Sequence, residues 1–477
     1  MAALPRMPSS PPFTANRHVH LVGIGGIGVS AIAHALLDLG LTITGSDTRE
    51  SRLTRELAAR GARVTIGHDP QAIDGAEAVI YSSAIAPHDV ELVAARARGI
   101  PTLHRAAALG RLLSSRPSSV GVLGTHGKGT VSAMVTAILE RAGLAPSFVI
   151  GALLHDFGGR NARMSDSPWM VAEVDESDGS MADVAPACVV VNNLEADHLN
   201  FYEDLAHIQR AVAASIDRND RDPVVVFNAS CPGACATVAR LQRPRRLVSV
   251  AASTPLNAAP VDYAVRDLQL RPEGAAFVLE HRGAPLGALE LGVPGAYNVE
   301  NAALAAATAH ALGVEWSAIT AALRSFGGLE NRFTSLERAG RRLVKDYVSH
   351  PTAIRRVLSA AAADPRPLTA VFRPYRFTLL HYLHCDYSRA FDGAARVVLT
   401  EFDAGGEAPI DGVSLERLRS AIADAGPEAL IVTPLGELEG WLMAHARDGQ
   451  QLVFFGGDEL FAIVDRYAET LAGGPGA

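Results

Sequence analysis

Gly124-Thr125-His126-Gly127-Lys128-Gly129-Thr130 sets a lysine and two hydroxyl residues among three glycines. The run follows an apolar strand expected at 120–123 and precedes apolar residues at helical spacing, Val131, Met134, Val135 and Ile138. A lysine at such a bend is costly without an anionic partner, and the phosphates of ATP would supply one. Loop N–H groups would cradle the phosphate oxygens, Lys128 would neutralise them, and a hydroxyl would reach Mg2+. The spacing departs from the usual phosphate loop, because Gly124 lies three residues before Gly127 instead of five. An ordinary turn is the competing account.

Acidic residues and a histidine stand at two further strand ends. Glu173 closes a strand expected at 169–173, and Asp175, Glu176 and Asp178 continue the acidic run. A strand expected at 188–192 delivers Glu195-Ala196-Asp197-His198 to the same edge. A hard cation that bridges phosphates needs oxygen ligands and tolerates waters, so this pattern fits a two-metal phosphoryl-transfer site. A solvated acidic loop competes for the residues after Glu173. His381, His384 and Cys385 lack a fourth ligand at sensible spacing and are discounted as a metal site.

A third pattern, Gly23-Ile24-Gly25-Gly26-Ile27-Gly28, stands between an expected strand at 18–22 and a helix over 30–39, with Asp47 ending the next strand. Glycines there let a backbone approach a diphosphate at a helix N-terminus. Packing of strand against helix is the alternative.

These patterns need sheets to position them. Strands at 18–22, 41–44, 63–66 and 78–81 alternate with helical stretches, which predicts a parallel α/β sheet. The polar segment 114–119, with its breaker Pro117, marks a boundary. A second α/β lobe is expected over about 120–333, with strands at 120–123, 169–173, 188–192 and 223–227. A third doubly wound unit follows, with strands at 342–345, 368–372, 397–400, 429–432 and 452–455 and a helix from Thr352. A length of 477 residues exceeds one hydrophobic core. The net charge of −8 offers no basic face for nucleic acid, and no apolar run is long enough to span a membrane. Four sparse cysteines fit a reducing cytoplasm. Residues 1–17, rich in Pro and Ser, are expected to form a disordered tail.

Further ordered motifs accompany these: Gly45-Ser46-Asp47, Ser82-Ser83-Ala84-Ile85, Asn298-x-x-Asn301, Arg332-Phe333, Asp346-Tyr347, His350-Pro351-Thr352 and 404–409. Together they resemble the Mur ligase family, most closely the UDP-N-acetylmuramate:L-alanine ligases and the muropeptide-recycling ligases related to them. The resemblance implies an α/β chain of three domains: a Rossmann-like UDP-substrate domain at 18–116, a central phosphate-loop ATPase domain at 117–334, and a Rossmann-like acceptor domain at 335–477. It implies Lys128, Glu173 and His198 as catalytic residues and Thr130, Glu173 and His198 as magnesium ligands. ATP would meet 124–130, Asn298, Asn301, Arg332 and Asp346. The UDP part would meet Gly23, Gly25, Gly26, Gly28, Asp47, His68 and Ser83. Tyr347, His350, Arg373, Tyr375 and Arg376 would face the amine. The implied reaction is phosphorylation of a UDP-linked carboxylate followed by attack of an amine, in a monomer or homodimer.

Departures from the family pattern cluster on the amine side. Gly129 stands where the alanine ligases carry a hydroxyl residue, so that role would pass to Thr130. Ser349 replaces the first of two histidines, Tyr297 replaces a histidine, and Asn331 replaces an arginine. In 373–379, Leu379 stands where the family's last arginine would grip an amino-acid carboxylate, while Arg373 replaces a glutamine. An acceptor other than free L-alanine is therefore expected, with Arg373 as the relocated charge. A ligase of specialised metabolism and a nucleotide-binding scaffold without catalysis remain as alternatives.

Overall fold

The computed structural model describes residues 13, 17–253 and 260–472. The tail expected over 1–17 lies almost wholly outside these residues; Phe13 is described, and the Arg111 guanidinium sits 5.9 Å from its ring. Three sheets organise the chain. The first contains β1 (His18–Val22), β2 (Thr42–Asp47), β3 (Arg63–Ile66), β4 (Ala78–Tyr81) and β5 (Thr102–His104) in the order β3-β2-β1-β4-β5. All its pairings are parallel, so every strand presents its carboxyl end to one edge. Two of the helices between them begin on side-chain caps: Ser51 and Thr54 form a reciprocal capping box at Arg52–Ala59, and Asp89 caps Val90–Ala97.

The central sheet has ten strands. They are β6 (Ser118–Leu123), β7 (Ser147–Leu154), β8 (Arg160–Arg163), β9 (Trp169–Glu173), β10 (Cys188–Val191), β11 (Val224–Asn228), β12 (Leu247–Ala251), β13 (Tyr263–Arg271), β14 (Gly274–His281) and β15 (Ala284–Leu291). Their order is β15-β14-β13-β12-β11-β10-β6-β9-β7-β8. β6, the strand that feeds the phosphate loop, lies between β9 and β10 with parallel pairing on both sides. Loops carrying the acids and His198 are thereby delivered beside it. The helix Lys128–Arg141 and the alanine-rich helix Ala296–Ala311 share a core with Val120, Val122, Met134, Val135 and Ile138, all buried. Burial of each large side chain contributes about 1.5–3 kcal/mol.

Six of these ten strands were not anticipated from sequence: β7, β8, β12, β13, β14 and β15. β13 to β15 form an antiparallel extension whose outer part is exposed, with Leu268 and Leu270 40% and 52% solvent-accessible. One face of each packs into the core, through Tyr263 and Val265, Ala275, Phe277 and Leu279, and Leu289 and Leu291, but each alternation is too short to stand out from the exposed residues around it.

The third sheet contains β16 (Thr334–Arg338), β17 (Arg341–Asp346), β18 (Leu368–Phe372), β19 (Arg396–Leu399), β20 (Glu428–Ile431) and β21 (Gln451–Phe455) in the order β16-β17-β21-β18-β19-β20. Only β16 runs antiparallel. The turn before it passes through left-handed backbone at Asn331 (φ 57) and Phe333 (φ 48). Asparagine tolerates that region better than most residues, which suits it to the position where the family pattern has arginine. Among the described residues, no helix is long and apolar enough to cross a membrane.

Candidate active site

A cavity of about 740 Å3 opens between the central and C-terminal lobes. From the central side it is lined by loop residues 125–130, Glu173, Asp175, Asp197 and His198, and by Asn298, Asn301 and Arg332. Asp346, Tyr347, His350, Arg373, Tyr375 and Arg376 line it from the C-terminal side.

The loop has the form its glycines anticipate. Gly127 adopts φ 74, and a Cβ there would lie 2.5 Å from Asn301 Oδ1 and 2.8 Å from Asn192 Nδ2, so no side chain fits. Lys128 opens the helix beyond it, and its Nζ donates to the Gly124 carbonyl at 2.6 Å and to Glu176 Oε1 at 2.9 Å. Lysine at this bend needs an anion, and the chain supplies one. Its side chain is 11% exposed, not the open surface lysine that a loop position suggests. Burial opposes its charge, but Glu176, Asp175 and Glu173 together outweigh burial and hold the ammonium well above its usual range.

Asp175, Glu176 and His198 bring ligating atoms within 4.8 Å of one another. Glu176 is buried, and its Oε2 has no hydrogen-bond partner. Glu173 Oε2 accepts from the Gly151 N–H at 2.8 Å, and a Cβ on Gly129 would lie 3.2 Å from the same oxygen. His198 sits at φ 53, a left-handed conformation that costs about 1–2 kcal/mol in a side-chain-bearing residue and concentrates at functional sites. This donor set of carboxylate oxygens and one imidazole could hold Mg2+; of the expected ligands it contains His198, while Thr130 and Glu173 line the neighbouring cavity.

On the nucleotide side, Asn301 Nδ2 donates to Asn298 Oδ1 at 3.2 Å, and Asn192 Nδ2 donates to Asn301 Oδ1 at 2.9 Å. Asn301 thus braces the phosphate loop. Asp346 is 3% exposed; its Oδ2 accepts from the Phe333 N–H at 2.9 Å while its Oδ1 is buried without a partner. Burial raises its carboxyl to about 6, against the opposing pull of Arg332, 3.9 Å away. Arg332 donates to the Tyr347 carbonyl and lies 5.8 Å from the Tyr347 ring.

On the amine side, Arg373 is 6% exposed and its Nη1 lies 2.8 Å from Glu459 Oε2 and 3.6 Å from Asp403 Oδ2. Its charge is thus partnered in this structure, and like Lys128 it would have to exchange a carboxylate to meet a ligand, while its Nε is without a hydrogen bond. Arg376 lies 5.1 Å from the Tyr375 ring, its Nε is buried without a partner, and its backbone takes the strained pair φ 60, ψ 138. Leu379 lines the cavity beside them. His350 caps the helix Pro351–Ala361, its Nδ1 accepting from the Thr352 N–H at 3.2 Å.

Gly23, Gly25, Gly26, Gly28, Asp47, His68 and Ser83 are not among the residues lining this cavity. Gly25 donates its N–H to Asp47 Oδ2 at 2.8 Å, and a Cβ there would lie 2.8 Å from Thr54 Cγ2, so Asp47 shapes the glycine loop itself. His68 Nδ1 lies 3.2 Å from Asp89 and 3.5 Å from the fully buried Glu91, within a polar network under the sheet edge. Ser83 donates to Asp178 Oδ2 at 2.6 Å, and Arg105 donates to Asp175 Oδ2 at 2.6 Å. These bonds tie the first sheet to the acidic run.

Asn192 and Asn193 were not assigned site roles from sequence, and Glu176 and Glu195 entered only as members of the acidic pattern. Asn193 Oδ1 accepts from the His126 N–H at 2.8 Å, and both asparagines donate to the His126 carbonyl at 2.9 Å. Their place directly after β10, at the sheet edge that carries the phosphate loop, is the feature that could have marked them.

Residues 18–117 match the family profile described as Mur ligase family, catalytic domain, and residues 122–309 match the Mur ligase middle domain. The chain is 35% identical over 449 residues to the UDP-N-acetylmuramate–L-alanine ligase of Pelotomaculum thermopropionicum, covering 94% of this chain and 96% of that one. It is 37% identical over 450 residues to the ligase of the same name from Gloeobacter violaceus, covering 93% and 94%. The fold matches the crystal structure of the UDP-N-acetylmuramate-alanine ligase of Thermotoga maritima with a TM-score of 0.80 at 24% identity, covering 96% and 100%. With near full-length relatives at this identity, and with a glycine-rich loop, an acidic edge and two flanking lobes in place, the chain belongs to the Mur ligase family and is a ligase that forms carbon–nitrogen bonds.

Proposed function

We propose that the protein uses ATP to activate the carboxylate of UDP-N-acetylmuramate and joins it to an amino acid. The observation that supports this most is the meeting, around one cavity, of the phosphate loop, the acidic edge with His198, and the C-terminal segment with Arg376. ATP and Mg2+ serve this chemistry in the family. Residues 18–116 would hold the UDP-linked donor, 117–334 the nucleotide and 335–477 the acceptor, and the enzyme would act in the cytoplasm.

In this reading Lys128 exchanges Glu176 for phosphate oxygens and carries positive charge to the transferring phosphoryl group. Asp175, Glu176 and His198, with Glu173 and Thr130 at the cavity wall, would hold Mg2+, which would supply positive charge to neutralise those oxygens. The donor carboxylate oxygen forms a bond to the γ-phosphorus as the bond to the ADP oxygen breaks. The amine lone pair then attacks the acyl carbon, phosphate leaves with the C–O electron pair, and the nitrogen loses a proton. Asp346 Oδ1 is placed to accept from a nucleotide hydroxyl, and Arg376 to receive the acceptor's carboxylate.

The test incubates the purified protein with ATP, Mg2+, UDP-N-acetylmuramate and a panel of amines headed by L-alanine, reading phosphate release and product mass. Amide product with at least one amino acid is expected; no amide from any member of the panel overturns the proposal. A second reading, an acceptor other than L-alanine, is favoured by Leu379 and by the pairing of Arg373 with Glu459, and the same panel decides it.

A further inference from the structure

We infer that Glu195 is a positioning residue through which the C-terminal lobe sets the conformation of the phosphate loop. The inference rests on the placement of ATP at that loop and of the acceptor on that lobe. Glu195 stands at a junction. Its backbone N–H donates to Thr125 Oγ1 at 2.9 Å, and the residues just before it clamp both sides of the Thr125-His126 backbone, the Thr125 N–H donating to the Asn193 carbonyl at 2.8 Å. Its carboxylate lies 3.6 Å from His126 Nε2, on the loop, and 3.9 Å from His350 Nδ1, on the lobe. The two imidazoles meet with ring centroids 4.7 Å apart, and His350 Nε2 reaches the Ala196 carbonyl at 3.3 Å.

The three side chains bring ligating atoms within 4.8 Å, so a metal site is the competing interpretation. The bonding of His350 argues against it. Its Nδ1 accepts the Thr352 N–H that caps a helix, and its Nε2 faces a carbonyl, so both nitrogens are engaged and the ring is fixed as the neutral Nε2–H tautomer. A metal would have to break the cap. His126 has no such partners: its Nε2 is buried without a hydrogen bond, a few tenths of an ångström beyond hydrogen-bond reach of Glu195. The His350 ring already rests against His126 and so holds the loop imidazole beside Glu195; withdrawing the lobe would remove that support and free the loop. Burial opposes the charge of Glu195, yet His126, Thr352 and His350 outweigh burial and hold the carboxyl down to about 2, so the anion is present throughout the working range.

Two ligands that bias one element must assist each other. The test is the KM for ATP at limiting and at saturating amino-acid acceptor, in wild type, Glu195→Gln, His350→Asn and the double variant. In wild type the KM should fall about 5-fold or more as acceptor saturates. That ratio should drop to about one in each single variant, and the double variant should match the singles because both break one connection. Should Glu195→Gln fail to fold, His350→Asn tests the connection from the lobe side. A ratio preserved in the variants, or absent from an active wild type, overturns the inference alone. A wild type without acceptor-dependent turnover overturns the underlying assignment as well.

Discussion

Lys128 Nζ and Glu176 Oε1 lie 2.9 Å apart, with side chains 11% and 2% exposed, so the cation intended for phosphate already has an anion within the protein. Removing one member of a buried pair leaves the other uncompensated, which costs about 3 kcal/mol or more. Lys128→Ala should therefore abolish turnover and also lower stability. Adding Glu176→Gln should restore most of the stability and none of the activity. Denaturant midpoints and phosphate release measure the two effects separately; a Lys128→Ala midpoint equal to wild type would remove the structural half of this account.

The acidic edge makes a second expectation. His198→Ala and Glu173→Ala should each depress turnover by about 100-fold or more, as for a lost contact to transition-state charge. High Mg2+ should partly rescue at least one of them. Glu176→Gln should shift the Mg2+ titration in the same direction, because its unpartnered Oε2 belongs to the same group of donors. Superimposable Mg2+ titrations for wild type and all three variants would show that the metal binds elsewhere.

Asp346 supplies a pH dependence with a definite sign. Its folded carboxyl is raised to about 6 from an ordinary value near 3.8, so the native state binds a proton more tightly than the unfolded chain. Its contribution to stability is complete below about pH 4 and is lost as pH rises through about 6, amounting to about 2–3 kcal/mol. Asp346→Asn should remove this loss. The stability difference between variant and wild type should thus grow between about pH 4 and pH 7. A difference that stays flat over that interval contradicts the burial argument.

For the acceptor, Arg376 rather than Arg373 is the cation without a carboxylate partner among the described residues: the Nε of each lacks a hydrogen bond, but Arg373 Nη1 is held by Glu459 and Asp403. A charge-assisted contact contributes about 1.5–3 kcal/mol. Arg376→Ala should raise the acceptor KM by about 10–100-fold, and Arg373→Gln should raise it less. Leu379→Arg should lower the KM for small amino acids. Equal effects of Arg373→Gln and Arg376→Ala on that constant would return Arg373 to the carboxylate-binding role.

Much of this molecule is legible in its residue order because the informative features are local. The phosphate loop, β1, β4, β9 and β18 follow from apolar runs bounded by turn residues, and a lysine among glycines implies an anion wherever it lies. Near full-length motif order likewise pointed to the family, whose profiles cover 18–117 and 122–309. What only the tertiary structure decided depends on residues distant in the chain. Glu176 reaches Lys128 across 48 positions, Asn301 meets Gly127 from a helix far along the chain, and Glu459 occupies Arg373 from the helix that begins at Asp458. The antiparallel strands β13 to β15 escaped for a related reason, since their pairing is set by neighbours and the alternation of their buried faces is brief in each strand. Local sequence specifies which groups are charged and where the chain turns; which charges become partners is decided by burial, because only the folded interior makes an unpaired ion costly enough to select one arrangement.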